Sequence, residues 1–360
     1  MIRLKDIAAA AGVSIMTASK AMRSQKDVAA TTRERVQQIA RQMGYVPNVA
    51  AQGLRNRTSK LFGVVISSLA NPIFNRVVRG IEEHAHEAGY EIILCHTLNN
   101  PEREEVCIRR LLARRVDGLF ISPVYRIAPH APVYRELLAH AAPVVLIGHP
   151  APFCDAFTSV SSDDSTGSYH TTRHLLSLGH RRIAFLSGQL VAPWAQERLE
   201  GYRRALREAG LAQDDALVFT AGSTIEDGAK GALQMLNENC DATAVQTVND
   251  PVAIGCAETL LGQGWKIPQD ISIAGFGNIL VSEHFRVPLT TVRQPKYRLG
   301  VAAMEVMSRM LRREHVEPRR LTGELVVRGS TAAPRASSVP AAVVPPPSAA
   351  PGTSPAELQA

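Results

Sequence analysis

Residues 4–20 read Leu-Lys-Asp-Ile-Ala-Ala-Ala-Ala-Gly-Val-Ser-Ile-Met-Thr-Ala-Ser-Lys. Apolar residues from Leu4 to Ala11 recur at i, i+3, i+4 and i+7, which is the spacing of one helix face. Gly12 follows, and glycine adopts a tight or left-handed turn at little cost. Ser14 is then a favourable N-cap for a second helix. Two short helices joined by a glycine turn are typical of a helix-turn-helix, whose second helix enters the major groove of DNA.

The following stretch predicts a third helix. The second helix is expected over residues 15–22, and Thr31-Thr32-Arg33-Glu34 then matches a capping box. The third helix should continue to Met43 and end at Gly44. We therefore predict an all-α helix-turn-helix domain over residues 1–45.

The charge distribution supports this prediction. The whole chain of 360 residues has a net charge of +7, yet residues 1–60 alone hold eleven Lys and Arg against three Asp and Glu. The positive excess thus lies in the first sixth of the chain, and the remainder is close to neutral. Charged helix faces are usually only solvated, but here the charge coincides with the glycine turn. The pattern favours a small module that binds a polyanion such as DNA, attached to a neutral globular body.

From residue 61 onward, short apolar runs alternate with amphipathic stretches of helical spacing, which predicts βαβ units and parallel sheets. About 270 residues are too many for one small core, so two similar lobes are expected, with ligands in a cleft between them beyond the C-terminal ends of strands. The predicted strands are 61–66, 91–95, 118–121, 144–147, 182–186, 244–248 and 272–274. The predicted helices are 72–88, 102–114, 166–178, 196–209, 227–237, 250–262 and 299–312.

Two segments flank this body. Residues 46–60 are polar and basic, and they predict a linker or short hinge helix that Asn48 could cap and Gly53 weakens by about 1 kcal/mol. Residues 332–360 contain seven prolines and no aromatic residue, which predicts a disordered tail. The two-lobed α/β body is therefore assigned to residues 61–331.

Several classes of protein are disfavoured by the same sequence. Apolar runs stay short of the roughly 18 residues that a membrane span needs, and the N-terminus lacks the apolar region of a signal peptide, so a cytoplasmic protein is expected. Five cysteines without a C-x-x-C pair indicate reduced thiols. His170 and His174 lack the glutamate of a metalloprotease motif, and no P-loop or GxGxxG occurs. We expect no catalysis, no metal and no cofactor.

Motifs in a fixed order along residues 2–330 carry a family resemblance. They include Lys5-Asp6-Ile7-Ala8, Ala11-Gly12-Val13-Ser14, Gly44-Tyr45-Val46-Pro47-Asn48, Arg115-Val116-Asp117-Gly118, Leu178-Gly179-His180 and Thr290-Thr291-Val292-Arg293-Gln294-Pro295. Together they resemble the LacI/GalR (lac repressor) family of bacterial transcription regulators. The resemblance implies an α/β fold in which an all-α helix-turn-helix domain precedes a two-lobed periplasmic-binding-protein-like (type I) domain of parallel sheets flanked by helices. It also implies a homodimer on a pseudo-palindromic operator in double-stranded DNA.

The same resemblance assigns DNA contacts. It implies that Ile15, Met16 and Lys20 read base edges, although lysine lacks the bidentate fork that arginine offers to guanine. Leu54 matches a leucine that wedges into the minor groove. The predicted DNA-binding residues are Ser14, Ile15, Met16, Thr17, Ser19, Lys20, Asn48 and Leu54.

A second set of residues follows predicted strands or lies near a predicted crossover between lobes. By resemblance, Arg198 and Asp250 hydrogen-bond the effector, and these groups suit vicinal hydroxyls or a carboxylate. The alternative is that they only pair with each other. Ser223 stands where purine-responsive members carry an aromatic residue, which favours a sugar or sugar acid. The predicted effector-binding residues are Ser67, Asn71, Phe74, Asp163, Trp194, Arg198 and Asp250.

The sequence thus predicts a DNA-binding transcriptional regulator, in this family more often a repressor, that a small sugar-like effector controls. Two alternatives remain open. A sugar-binding protein of the periplasmic type would lack the basic helix-turn-helix, and a catabolite-type regulator would use a protein corepressor. The C-terminal sequence has no evident tetramerising leucine heptad, which favours a dimer.

Overall fold

The computed structural model describes residues 2–46 and 58–335. The chain divides into two compact units: the first comprises Met1–Ser161 and Lys296–Arg319, and the second comprises Ser162–Pro295 and the chain from Arg320 onward. The N-terminal helices are followed by parallel sheets flanked by helices. The predicted fold class is confirmed.

Three helices form the N-terminal region: α1 (Leu4–Ala10), α2 (Ile15–Met22) and α3 (Ala30–Gln42). Gly12 has a φ of +62° between the first two, a conformation that favours glycine. Small side chains let the helices approach closely, and the residues of this core with almost no exposed surface include Ile7, Ala8, Ala18, Ala21, Val36 and Ala40.

The first unit contains a parallel sheet in the order β5-β4-β3-β1-β2, whose edge at β5 carries a short strand, β11, where the chain passes into the second unit. Its buried residues are mainly Val, Ile, Leu and Phe, as expected for strands covered on both faces. The strands are β1 (Leu61–Ile66), β2 (Glu91–His96), β3 (Gly118–Ile121), β4 (Val144–Ile147), β5 (Ser159–Ser162) and β11 (Arg319–Leu321). The helices are α4 (Pro72–Glu87), α5 (Pro101–Ala113), α6 (Pro132–Ala139) and α12 (Lys296–Leu311).

The second unit repeats this plan with a parallel sheet in the order β7-β6-β8-β9, accompanied by an antiparallel pair of β10 and β12. Its strands are β6 (Ile183–Ser187), β7 (Val218–Thr220), β8 (Ala244–Thr247), β9 (Ser272–Ala274), β10 (Thr291–Arg293) and β12 (Glu324–Val326). Its helices are α7 (Asp164–Ser177), α8 (Pro193–Glu208), α9 (Ile225–Asn237), α10 (Asp250–Gly262) and α11 (Leu280–His284).

Helices α7 and α8 pack closely at Gly201. A Cβ atom at this position would lie 2.2 Å from the carbonyl oxygen of Ser165 and 2.9 Å from the Cβ of Ser168, so only glycine fits. The Ser168 hydroxyl also donates to the carbonyl oxygen of Arg198. This packing sets the position of Arg198 relative to the start of α7.

The elements predicted from sequence lie within a few residues of the observed ones, and several short elements were missed. Helix α6 and strand β5 are examples; strands of three or four residues carry too few positions for a clear periodicity. The capping box at Thr31 was wrong. Helix α3 begins at Ala30, and Arg33 donates to the carbonyl oxygens of Gln25 and Val28 and so fixes the turn before it.

Two predicted boundaries also shift. Residues 58–60, assigned to the linker, are hydrogen-bonded to Asp117 at the start of β3. Residues 332–335, assigned to the tail, belong with the second unit, because the Ala332 carbonyl oxygen accepts from His180 and from Ser272. The rest of the predicted tail, residues 336–360, lies outside the described residues. In residues 2–46 and 58–335, no helix combines the length and apolar character of a membrane span.

Candidate DNA-binding surface and effector residues

The N-terminal end of α2 presents two large apolar side chains to solvent. Ile15 is 56% exposed and Met16 is 65% exposed, whereas Ala18 and Ala21 on the opposite face are buried. The two adjacent side chains leave an uncovered apolar surface at this end of α2. The first turn of α2 is also the part of a recognition helix that reaches base edges.

Three hydroxyl residues of this region have partners within the domain. Ser14 is the N-cap of α2: its Oγ accepts from the Thr17 amide at 3.0 Å and lies 2.9 Å from the Thr17 Oγ1. Ser19 Oγ accepts from the Arg23 guanidinium at 3.3 Å. The predicted phosphate contacts therefore come from groups that also hold α2 in shape. Their roles toward DNA stay predictions.

Lys20 forms an ion pair with Asp27 across the turn that follows α2. The hydrogen bond from Lys20 lowers the pKa of the Asp27 carboxyl, since it stabilises the charged form. The sequence prediction assigned Lys20 to a base contact and did not identify this ion pair. A contact of the Lys20 ammonium with a base or a phosphate stays a prediction. The other two predicted contacts, Asn48 and Leu54, lie outside the described residues.

In the first unit, Ser67 and Asn71 lie between β1 and α4, at the C-terminal edge of the sheet, and Phe74 lies in the first turn of α4. Asn71 is the N-cap of α4, with its Oδ1 accepting from the Ile73 amide at 3.2 Å. The Ser67 carbonyl oxygen accepts from the Asn99 amide, and Phe74 is buried. Contact of these residues with a ligand stays a prediction.

Glu104 is a further residue at this edge, and it was missed from sequence. Its buried carboxylate accepts from the Val124 amide and the Tyr134 hydroxyl, each at 2.8 Å, and pairs with Arg126. Burial raises its pKa, and the hydrogen bonds and Arg126 oppose that rise. The cluster fixes the loop that leaves β3. A charged residue on a helix gives no sequence signal that it is turned inward, so pattern alone could not have found it.

Arg198, in the second unit, is 4% exposed, and each of its three guanidinium nitrogens donates a hydrogen bond. Its Nε and Nη2 donate to Asp164 Oδ1 at 3.1 and 2.8 Å, and its Nη1 donates to the Val248 carbonyl oxygen at 2.6 Å. The guanidinium lies 3.8 Å from the ring centroid of Phe276 and 5.0 Å from that of Trp194. It is thus a buried, paired cation that lies near two aromatic rings.

Asp250 is 0% exposed, and its carboxylate accepts hydrogen bonds from the neighbouring segment of the second unit. Its Oδ1 accepts from Thr291 at 2.5 Å, and its Oδ2 accepts from Ser282 at 2.6 Å and from the Ile279 amide at 2.9 Å. The alternative that Arg198 and Asp250 pair only with each other was wrong, because Arg198 pairs with Asp164 instead. With all these donors in place, Asp250 organises the segment between β9 and α11 in this structure.

The remaining predicted residues lie near Arg198. Trp194 is half-buried at the start of α8. Asp163 is the N-cap of α7 and accepts from the Thr166 amide and from Arg320, each at 3.1 Å. The second unit thus brings together Asp163, Trp194 and Arg198 at one end of its sheet, with Asp164 as the partner that the prediction left out.

Comparison with known proteins decides the family. The family described as "Bacterial regulatory proteins, lacI family" matches residues 3–48, and "Periplasmic binding proteins and sugar binding domain of LacI family" matches residues 59–327. The chain belongs to the LacI family of bacterial regulatory proteins. It is a DNA-binding transcriptional regulator, and the resemblance noted from its sequence is confirmed.

Individual relatives of this LacI-family protein cover nearly all of it. The HTH-type transcriptional repressor PurR of Vibrio atlanticus (strain LGP32) is 32% identical over 320 residues, which are 89% of this chain and 95% of the relative. The lac repressor dimer bound to operator and the anti-inducer ONPF has a TM-score of 0.83 at 28% identity, covering 92% of this chain and 99% of that one. The complex of the transcriptional regulator CelR with cellobiose has a TM-score of 0.70 at 28% identity, covering 92% and 100%.

The loop after β9 contains two glycines that have a structural role. It reads Gly275-Phe276-Gly277. A Cβ at position 275 would lie 2.3 Å from Asp250 Oδ1, and Gly277 has a φ of +136°. The glycines let this loop wrap around the Asp250 carboxylate. The loop therefore accommodates a carboxylate from α10 and supplies none at position 277.

Proposed function

We propose that this regulator is a homodimeric repressor that binds operator DNA through the first turn of α2 and changes its DNA affinity when the α/β body binds a small polyhydroxylated effector. The exposed pair Ile15 and Met16, on a domain rich in Lys and Arg, carries the DNA-binding part. The similar lac repressor is a dimer bound to operator, and CelR binds cellobiose.

The effector part is supported by residue chemistry. Arg198, Trp194 and Asp163 lie at one end of the second unit's sheet, and Ser67 and Asn71 lie at the corresponding end of the first. Ligands of parallel α/β folds bind beyond the C-terminal ends of strands. We propose these residues, together with Phe74 and Asp250, as the effector set. Asn48 and Leu54 are proposed to complete the DNA contacts from the hinge. We further propose that the protein acts in the cytoplasm and has no catalytic role.

The test is specific binding to an operator selected from a random duplex pool, measured by fluorescence anisotropy. Met16→Ala is expected to weaken operator binding by about 1–3 kcal/mol while changing affinity for a random duplex little, because Met16 contacts bases. Leu138→Ala, which truncates another exposed apolar residue outside this domain, is the matched control.

Equal loss on both duplexes would contradict base reading by Met16. Failure of the wild-type protein to select any sequence would contradict the proposed function itself. Effector candidates are then titrated without any other protein present. A response only after a second protein is added would favour the corepressor alternative.

A further inference from the structure

We propose that Cys95 and Cys107 form an oxidation site, in which a hydroperoxide converts the two thiols reversibly into an intrachain disulfide. Both residues lie in the first unit, and neither is among the residues proposed to bind DNA or an effector. The inference is therefore independent of the proposed function. The sequence indicated reduced thiols without a paired motif, whereas the fold brings these two cysteines together.

The two thiols meet where β2 packs against α5. Side chains alternate along a strand, so Ile93 and Cys95 share one face of β2, and both pack against the hydrophobic core of the first unit. Cys107 lies on the buried face of α5 in the same core and is 9% exposed. A hydrogen bond links the two thiols. A disulfide needs such adjacent side chains, because its sulfur atoms bond at about 2.05 Å.

Small solutes can reach this pair of thiols. Cys95 is partly exposed on β2, the last strand at one end of the described sheet. Cys107 lines a recess of about 680 Å³ between α5 and the turn after β2, and Leu98 and Arg103 form part of its wall. A recess of this size admits hydrogen peroxide or a small organic hydroperoxide. Reactive cysteines are partly accessible in this way, whereas fully enclosed ones are inert.

Exposure and nearby charges favour Cys95 as the thiol that reacts first. Burial raises the pKa of Cys95 and the Cys107 thiol raises it further, whereas the guanidinium groups of Arg110 and Arg114 lower it. The two cations therefore favour the Cys95 thiolate, which is the nucleophilic form. Cys107, which is more deeply buried, is then placed to react with the oxidised sulfur.

The reaction balances in two steps. The Cys95 thiolate attacks one oxygen of the hydroperoxide; an S–O bond forms, the O–O bond breaks, and the other oxygen leaves with a proton as an alcohol or water. The Cys107 thiolate then attacks the sulfur of the resulting sulfenic acid; an S–S bond forms, and the S–O bond breaks to release water. The thiols lose two electrons, which the peroxide bond accepts, and both thiol protons end in the released products.

The disulfide would close a ring that contains the turn from β2 into α5. Leu98 and Asn99 in this turn each have a φ of +55°, a conformation that is uncommon for leucine. The Asn99 amide donates to the Ser67 carbonyl oxygen at 3.0 Å. The Asn100 amide donates to the Thr97 carbonyl oxygen at 3.0 Å. A cross-link at the base of the turn restricts its opening, so both amides should exchange hydrogen more slowly in the oxidised protein.

The test treats the reduced, full-length protein with stoichiometric hydrogen peroxide, alkylates the remaining thiols and maps the peptides by mass spectrometry. Trypsin cleaves after Arg79, Arg103 and Arg109, which separates Cys95 on peptide 80–103 from Cys107 on peptide 104–109. The two peptides should be recovered joined by a disulfide, and dithiothreitol should separate them. A non-reducing gel shows whether the link lies within one chain.

The other buried thiols provide an internal comparison. Burial raises the pKa of Cys154 to about 11 and that of Cys256 to about 12. Because each pKa unit lowers the reactive thiolate fraction about tenfold, Cys95 and Cys107 should be oxidised at least about tenfold faster than these two.

Two variants separate the roles of the thiols. Cys107→Ser should leave Cys95 as a sulfenic acid that dimedone labels, because no second thiol resolves it. Cys95→Ser should abolish both the linked peptides and the slower amide exchange. Cys240→Ser is the matched control, since Cys240 is also partly exposed but lies in the second unit. It should leave the disulfide unchanged.

The wild-type peptide map decides the inference, even if a variant fails to fold. Linked peptides from a monomeric band on the non-reducing gel support it. Their absence after peroxide treatment, or their formation only in urea, overturns it, and so does a link that joins two copies of the chain. Dimedone labelling of Cys107 in Cys95→Ser as fast as that of Cys95 in Cys107→Ser would overturn Cys95 as the first thiol.

Discussion

Lys20 is held by Asp27 in the free protein, although it is a predicted base contact. Asp27→Asn removes this partner, so we expect several-fold tighter DNA binding. The slope of log K against log salt should steepen by up to about 0.9, as one more cation becomes available to phosphates. Fluorescence anisotropy at several salt concentrations measures both quantities.

Glu34→Gln is the control for this prediction, because it makes the same charge change at an exposed position on α3. A purely long-range effect of charge would change the DNA affinity and the salt slope of both variants by the same amount. If the substitution specifically releases Lys20, the gain in DNA affinity and the steepening of the salt slope must be larger for Asp27→Asn than for Glu34→Gln. Equal slopes would show that Lys20 is not restrained by its partner.

The positions of the proposed effector residues were predictable from sequence, but their hydrogen-bond partners were not. Arg198 could be found by its match to a family motif, and the structure brings it near Trp194 and Asp163. Its partner could not be found, because Asp164 lies 34 positions earlier and the contact depends on how α7 and α8 pack at Gly201. Asp250 was likewise located without its role, since its donors come from residues 29 to 41 positions later.

Asp117 fixes the chain where it enters β1. Its carboxylate accepts from the Ser59 amide at 2.9 Å, the Lys60 amide at 3.1 Å and the Thr58 hydroxyl. Asp117→Ala should lower the free energy of unfolding by about 1–3 kcal/mol, because it leaves these donors without an acceptor. Hydrogen exchange at the amides of residues 59 and 60 should accelerate most.

Asp155→Ala, at an exposed position of the same unit, is the control and should leave that exchange unchanged. Protection at residues 59 and 60 equal to that of the wild-type protein would contradict a clamp at Asp117. The long strands and helices around it were predictable, because their apolar residues repeat over many positions. The hydrogen bonds of Asp117 with residues 58–60 were not predictable, because they join polar groups that lie 57 to 59 positions apart.

Two histidines form hydrogen bonds between the end of the described chain and the rest of the second unit. His180 Nε2 lies 2.8 Å from the Ala332 carbonyl oxygen, and His174 Nε2 lies 3.0 Å from Thr331 Oγ1. Burial lowers the pKa of both histidines, and the Ala332 carbonyl partly offsets this for His180. The fold therefore favours their neutral forms.

This linkage predicts the pH dependence of stability. A lowered pKa in the folded state means that the unfolded chain binds protons first as pH falls. The stabilisation is complete above about pH 6.5 and is lost below it, at up to about 1.4 kcal/mol per pH unit for each excess proton. Both tryptophans, Trp194 and Trp265, lie in the second unit, so urea unfolding followed by tryptophan fluorescence reports this unit directly.

His180→Gln should flatten the decline between pH 7.5 and 5, whereas His140→Gln, at an exposed site of the first unit, should not. A decline that His180→Gln leaves intact would assign the acid sensitivity to carboxylates that lose their pairing. The two results have different consequences for the chain beyond residue 331. If protonation of His180 drives the loss, the contact with Ala332 contributes to the stability of the second unit. Truncation after residue 331 should then lower that stability at neutral pH, whereas truncation after residue 335 should not.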